Sequence, residues 1–198
     1  MGSIIIVIRR ILSFCRFFRP LRLGSVGKGS KIASPRGIKG SSHIYIGTQT
    51  FIHRGSQLQA IDRIAGQEFL PNIVIGNRVY VGQNAFIACI NEVTIEDLCV
   101  LSDYVYISDS SHGLDPMRGP IMQQAWESRG PVRIGFSTFV GYRAAIMPGV
   151  TLGKHCVVGA NAVVTHSFPE YSMVGGVPAR LLKKFDIDQG RWVAVDPL

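Results

Sequence analysis

The chain has 198 residues, 46% of them hydrophobic, and a formal net charge of +8. That length suffices for one compact domain with a continuous core, and no apolar run reaches the ~18 residues that a membrane-spanning helix needs. The basic residues are spread along the chain rather than gathered with aromatics, and no DNA- or RNA-binding motif accompanies them. The charge therefore points away from nucleic acid and towards a polyanionic small ligand or an anionic glycolipid.

The first segment, 1–23, mixes Ile4–Ile8, Ile11, Leu12, Phe14, Phe17 and Phe18 with Arg9, Arg10, Arg16, Arg19 and Arg22. A signal peptide would place its charge before the apolar run and end in a small-residue cleavage site, and neither is present. On a helical wheel the arginines cover more than half the circumference, so the amphipathic signal is mediocre. Two expectations stand for this segment: a cap docked on the end of the domain, or a membrane-surface contact.

From Val26 onwards an aliphatic residue recurs every sixth position, in groups of three. The groups are Val26, Ile32, Ile38; Ile46, Ile52, Leu58; Ile75, Val81, Ile87; and Ile95, Leu101, Ile107. The run Ile134, Val140, Ile146, Leu152, Val158, Val164 then continues without a slip. Four positions after the aliphatic the residue is usually small or β-branched, as at Thr50, Ser56, Ala85, Cys99, Thr138, Cys156 and Ala162. A period of six fits neither a helix nor a plain strand. It fits a coil of three short flat sides, each turning one large and one small residue inward, stacked about six times. Every slip follows a third hexad, so the insertions leave from one corner, where a solenoid usually builds its binding surface. The two long ones, 61–71 and 110–131, are loops by composition. The coil domain is expected over 24–169, with a C-terminal extension over 170–198. Cys99 and Cys156 fall on inward small positions, Cys15 and Cys89 lie far away, and no C-x-x-C pair occurs. Core filler in a reducing compartment accounts for them.

The blocks PGVTLG, VVGANAVVT and GGVPARLL, all within Ile134–Lys184, resemble the C-terminal half of hexapeptide-repeat acyltransferases. The nearest group is the maltose, galactoside and nodulation-factor O-acetyltransferases, including those that decorate bacterial surface polysaccharides. With the weaker hexads the resemblance covers about residues 26–185. It implies an all-β, left-handed parallel β-helix assembled as a homotrimer, acetyl-CoA as acyl donor without a metal, and a sugar or lipid-linked glycan as acceptor. It also implies a cytoplasmic protein, placed at the inner face of the membrane if 1–23 make peripheral contact there.

Removing a proton from a sugar hydroxyl suits a histidine, whose pKa near ~6.5 makes it an effective general base. Of the 5 histidines only His112, in SDSSHG, stands at the root of the longest insertion, where the resembling enzymes carry their catalytic histidine. Asp115 and Glu127 are the carboxylates on the same loop. Asn84, in VGQNAF, matches an Asn that in those enzymes bonds the acceptor or the developing oxyanion, although an Asn at a coil corner can simply serve its turn. His112 ends a third side and Asn84 lies on a second, so the two are expected to meet only across a subunit boundary. Carried over in the same way, Gly141, Tyr142, Ala160, Thr165 and His166 would line the coenzyme A groove, and Arg180 and Lys183 would hold its phosphates. Two positions depart from the pattern: Tyr142 replaces a common small polar residue, and His166 a common Lys. The main competing reading is an amino-sugar N-acetyltransferase or an antibiotic acetyltransferase. A non-catalytic scaffold is a further alternative. A carbonic anhydrase would need His43, His53 and His112 to converge on zinc.

Overall fold

The computed structural model describes residues 23–195, so the expectations for 1–22, Cys15 included, lie outside the described residues. The six-residue beat builds a three-faced prism, a left-handed parallel β-helix. Each hexad gives a strand of two to four residues, and each face is a ladder of the corresponding strands from successive coils. The first face stacks Ser25–Val26, Ile44–Ile46, Asn72–Ile75, Glu92–Ile95, Val132–Ile134 and Thr151–Leu152. The second and third faces follow the same order, and anchor pairs with anchor throughout: Ile87 with Ile107, Ile107 with Ile146, Ile146 with Val164. Parallel pairing in register stacks like residues inside the prism, which is why the hexad has to repeat without error.

The inward positions are sealed. Ile134, Val140, Ile146, Leu152, Val158 and Val164 are all 0% exposed, as are Cys99, Cys156 and Ala162 at the small positions. Burial pushes the Cys99 thiol up to about 11, consistent with an inert core residue. The inward hydroxyls are satisfied rather than stranded. Thr50 Oγ1 donates to Gly76 O at 2.6 Å and Thr138 Oγ1 to Gly153 O at 3.0 Å, each reaching the corner glycine of the next coil. Coil one is covered on one side only within the described residues, and its anchor Val26 is 46% exposed.

The coil pattern runs on past 169. Phe168 bridges to Leu152 on the first face, and Ser172–Gly176 lies parallel to Val157–Val158 on the second, with Val174 at 0% exposure. The chain then reverses into two antiparallel strands, Ala179–Asp186 and Arg191–Ala194, which widen the second-face sheet.

Both long insertions fold as small antiparallel hairpins rather than open loops. The first pairs Arg63–Ile64 with Gln67–Glu68, and the second pairs Ser110–His112 with Trp126–Ser128. The tip of the second is held by the side chain of Gln124, which donates to Asp115 O and Gly119 O at 2.8 Å each and accepts from Asp115 N at 3.1 Å. Among the described residues no helix is long and apolar enough to cross a membrane.

Candidate active site

The long hairpin leaves the third face of coil four and leans back over it. A cavity of about 550 Å³ lies beneath. Its walls include Ala88, Tyr106 and Ser108 of the third face, His112 and Trp126 of the hairpin, and Thr165 at the end of coil six. Most of the lining is apolar, with Arg129 as its one cationic side chain.

His112 faces Trp126 across the hairpin, and the ring centroids lie 4.3 Å apart. Its Nδ1 is enclosed and has no hydrogen-bond partner, an unusual state for a buried polar atom outside a functional site. Neither loop carboxylate approaches it. Asp115 caps a short 3₁₀ turn by accepting from Met117 N at 2.9 Å and pairs with Arg118 at 3.1 Å. Glu127 stands opposite Ser111 and is exposed.

The root of the hairpin is fixed by Asp109, a residue that the hexad pattern does not single out. Its carboxylate is 0% exposed and accepts from three backbone donors, Ile90 N at 3.0 Å, Asn91 N at 2.8 Å and Glu92 N at 2.8 Å. Burial pushes its carboxyl above the ordinary range, against the pull of those three donors. The available sequence signal was an acidic residue where the third hexad ends and the coil opens.

Asn84 occupies the corner between the second and third faces of coil three, with φ 55°. Tyr104, Arg143 and Asn161 repeat that left-handed conformation directly along the column, at φ 61°, 56° and 57°. Asn tolerates this region better than most residues, so the corner accounts for Asn84 by conformation alone. It does not line the His112 cavity. Gly141, Tyr142 and Ala160 belong to the same corner in coils five and six. A Cβ on Gly141 would stand 2.7 Å from Val158 O, so the stacking itself requires glycine there. Tyr142 is 42% exposed, meets Tyr104 edge to face at 5.7 Å, and carries the Arg143 guanidinium 5.3 Å above its ring.

The remaining positions fall into two places. Thr165 shares the cavity with His112, and His166 packs against Phe168 at 4.4 Å. Arg180 and Lys183 project from the C-terminal antiparallel strands, exposed and outside every ion pair found among the described residues. One chain thus brings His112 and Thr165 together, but leaves Asn84, Gly141, Tyr142 and Ala160 on a different corner. Among the described residues no group of three His, Cys, Asp or Glu side chains is placed to hold a metal. His43 ends a 3₁₀ turn and His53 packs against Phe51, so the two do not converge with His112 within the chain.

Residues 131–166 match the bacterial transferase hexapeptide family, described as six repeats, and the three-faced coil is the fold that such a repeat builds. In sequence the chain is 28% identical to a protein of Mycobacterium tuberculosis named probable acetyltransferase, over 85% of this chain and 56% of that one. It is 35% identical, over 61% of this chain and 64% of the relative, to WbbJ of Escherichia coli, whose name assigns it provisionally to lipopolysaccharide biosynthesis as an O-acetyl transferase. The matches therefore span between about half and two thirds of these relatives' lengths. Among solved structures, a hexapeptide-repeat acetyltransferase of Vibrio cholerae complexed with acetyl coenzyme A is 28% identical with TM-score 0.53, covering 85% of this chain and 74% of that one. The N-acyltransferase AntD of Bacillus cereus, in complex with dTDP and 3-hydroxybutyryl-CoA, shares the fold at TM-score 0.63 and 20% identity, over 84% and 86% of the two chains.

Proposed function

We propose that this chain is an acetyl-CoA-dependent O-acetyltransferase acting on a sugar hydroxyl, with His112 as the general base. The observation that carries the reading is the half-buried His112 imidazole, its Nδ1 enclosed and unpartnered, on the wall of a cavity built by an extruded hairpin. The 28% likeness to an acetyltransferase complexed with acetyl coenzyme A supports the donor. When bound, the donor supplies an acetyl group activated as a thioester.

With Nδ1 enclosed, Nε2 is the ring nitrogen left to meet an acceptor hydroxyl. It takes the proton as the hydroxyl oxygen attacks the acetyl carbonyl, and it returns that proton to the departing thiolate. The imidazolium formed between these steps lacks a carboxylate partner among the described residues, and the Trp126 ring, its centroid 4.3 Å away, offsets part of that charge. Arg129 is suited to a phosphate or carboxylate on the acceptor. That pairing favours a sugar carried on a phosphate, as in a surface glycan under assembly on a cytoplasmic lipid carrier, with segment 1–23 at the membrane face.

In this reading the protein works as a homotrimer. The second face shows an outward row of Tyr80, Val100 and Phe139, exposed at 40%, 38% and 42%, and the third face shows the stacked rings of Phe86 and Tyr106. Such apolar rows suit subunit contact. A neighbouring copy would then bring its Asn84, Gly141, Tyr142 and Ala160 corner towards the His112 cavity, with Thr165, His166, Arg180 and Lys183 completing the donor groove. Mixing the purified protein with acetyl-CoA and a panel of sugars, sugar nucleotides and amino sugars tests this, with thiol release as readout. Release with a sugar hydroxyl is expected; release with amino sugars alone would replace O- by N-acetylation.

A further inference from the structure

The two insertions leave the prism two coils apart in the chain, yet hydrogen bonds join them through one residue pair among the described residues. Gln67, on the returning strand of the first hairpin, reaches Trp126 of the second. Its Oε1 accepts from Trp126 N at 2.7 Å, and its Nε2 donates to Trp126 O at 3.2 Å. One carboxamide thus meets both backbone polar groups of one residue, as a neighbouring strand would.

The hairpin register explains why those two groups are free to receive it. His112 stands opposite Trp126, and Gly113 N donates to Ala125 O at 2.8 Å. Pairs alternate along an antiparallel ladder between bonded and non-bonded, so His112 and Trp126 form a non-bonded pair. Their side chains are then drawn close, and the backbone N–H and C=O of Trp126 point outward, away from His112. Left to itself this edge would need water or another strand. Gln67 supplies the partner and so fixes where the Trp126 backbone sits, and with it the ring that packs on His112.

We propose that Gln67 is a positioning residue for the His112–Trp126 pair, coupling the first insertion to the chemistry carried by the second. The proposal rests on the reading of the His112 cavity as the acetyl-transfer site. Gln67 itself does not line the cavity; it acts through Trp126. Misplacement of a catalytic pair by about 1 Å can cost ~100-fold in rate, so a side chain outside the cavity can still control turnover.

The test uses the full chain carrying Trp192→Phe, which leaves Trp126 as the single tryptophan, with Gln67→Met and Gln67→Glu added in turn. Met keeps the length and removes both hydrogen bonds. Glu keeps an acceptor for Trp126 N but turns a second acceptor against Trp126 O. Both variants are expected to shift the Trp126 emission to the red and to move the His112 ring-proton resonances, which lie in the ring-current field of Trp126. Acetyl transfer to the best acceptor of the panel is expected to fall about 10- to 100-fold in kcat, with the KM for acetyl-CoA and the melting temperature near those of the parent. Unchanged His112 resonances and unchanged emission in the Met variant would overturn the proposal, whatever the activity. So would an activity loss matched by an equal loss of acetyl-CoA affinity. Spectral shifts in a parent that transfers acetyl to nothing would uphold the clamp and overturn the activity reading instead.

Discussion

Replacing Asp109 by alanine removes one carboxylate and strands three amide donors at the root of the long hairpin. The three are not equal. Ile90 is buried, Glu92 is half-buried and Asn91 is exposed, so the Ile90 N–H belongs to the residue furthest from water. An unsatisfied buried donor costs about 1–3 kcal/mol, and the other two recover part of their loss from solvent. The substitution also relieves the desolvation that pushes the Asp109 carboxyl up. A net loss of about 2 kcal/mol is expected, which in a chain of this size lowers Tm by roughly 4–8 °C. Calorimetric melting of wild type and Asp109→Ala at one protein concentration measures it, since the proposed assembly would make Tm concentration-dependent. The pH dependence carries a sign of its own. A carboxyl whose folded pKa is raised binds more protons folded than unfolded. Its stabilising contribution is present below the unfolded value and fades as pH rises through the folded one. The Tm gap between wild type and Asp109→Asn should therefore widen as pH falls towards the ordinary aspartate value of about 3.9. A variant that melts with wild type at neutral pH, or a gap that narrows on acidification, would refute the account of this anchor.

Two further outcomes follow from the arrangement of the corners and from the segment before Gly24. Mixed assemblies of inactive Asn84→Ala and inactive His112→Ala chains should regain activity, because some boundaries then carry both intact residues; activity that stays at the single-mutant level despite verified subunit exchange would place both residues in one chain's site. Removing residues 1–23 should abolish sedimentation with anionic vesicles at low salt while leaving transfer to a soluble sugar intact, each arginine near the surface contributing on the order of 1 kcal/mol. Full-length protein that ignores such vesicles would contradict the membrane contact.

The prism is legible in the sequence because every coil makes the same demand. Ile46, Ile52 and Leu58 answer to the same sealed interior as Ile134, Val140 and Ile146, and stacking in register turns that demand into a period. What lies off the period is harder to read. The step from Val164 to Phe168 is shorter than a hexad, so the partial seventh coil hides behind a change of spacing. The insertions carry no repeat, and the contact between Gln67 and Trp126 joins residues 59 apart through polar atoms that leave no trace in hydropathy. His112 could be singled out because it stands where the beat breaks. Asp109 stands at the same break but works inward, on the backbone of the coil below. Asn84 shows the reverse difficulty: its residue type satisfies a left-handed corner at φ 55°, so type and position together do not separate a turn residue from a catalytic one.

In the proposed mechanism His112 removes the proton from an acceptor hydroxyl. The most direct measurement is steady-state thiol release from acetyl-CoA by wild type and His112→Ala with the best acceptor of the panel, the O-acetyl product being identified by NMR. A kcat lower by about 10²- to 10⁴-fold is expected in the variant, with the KM for acetyl-CoA little changed. Turnover near that of wild type in a folded His112→Ala protein would contradict it.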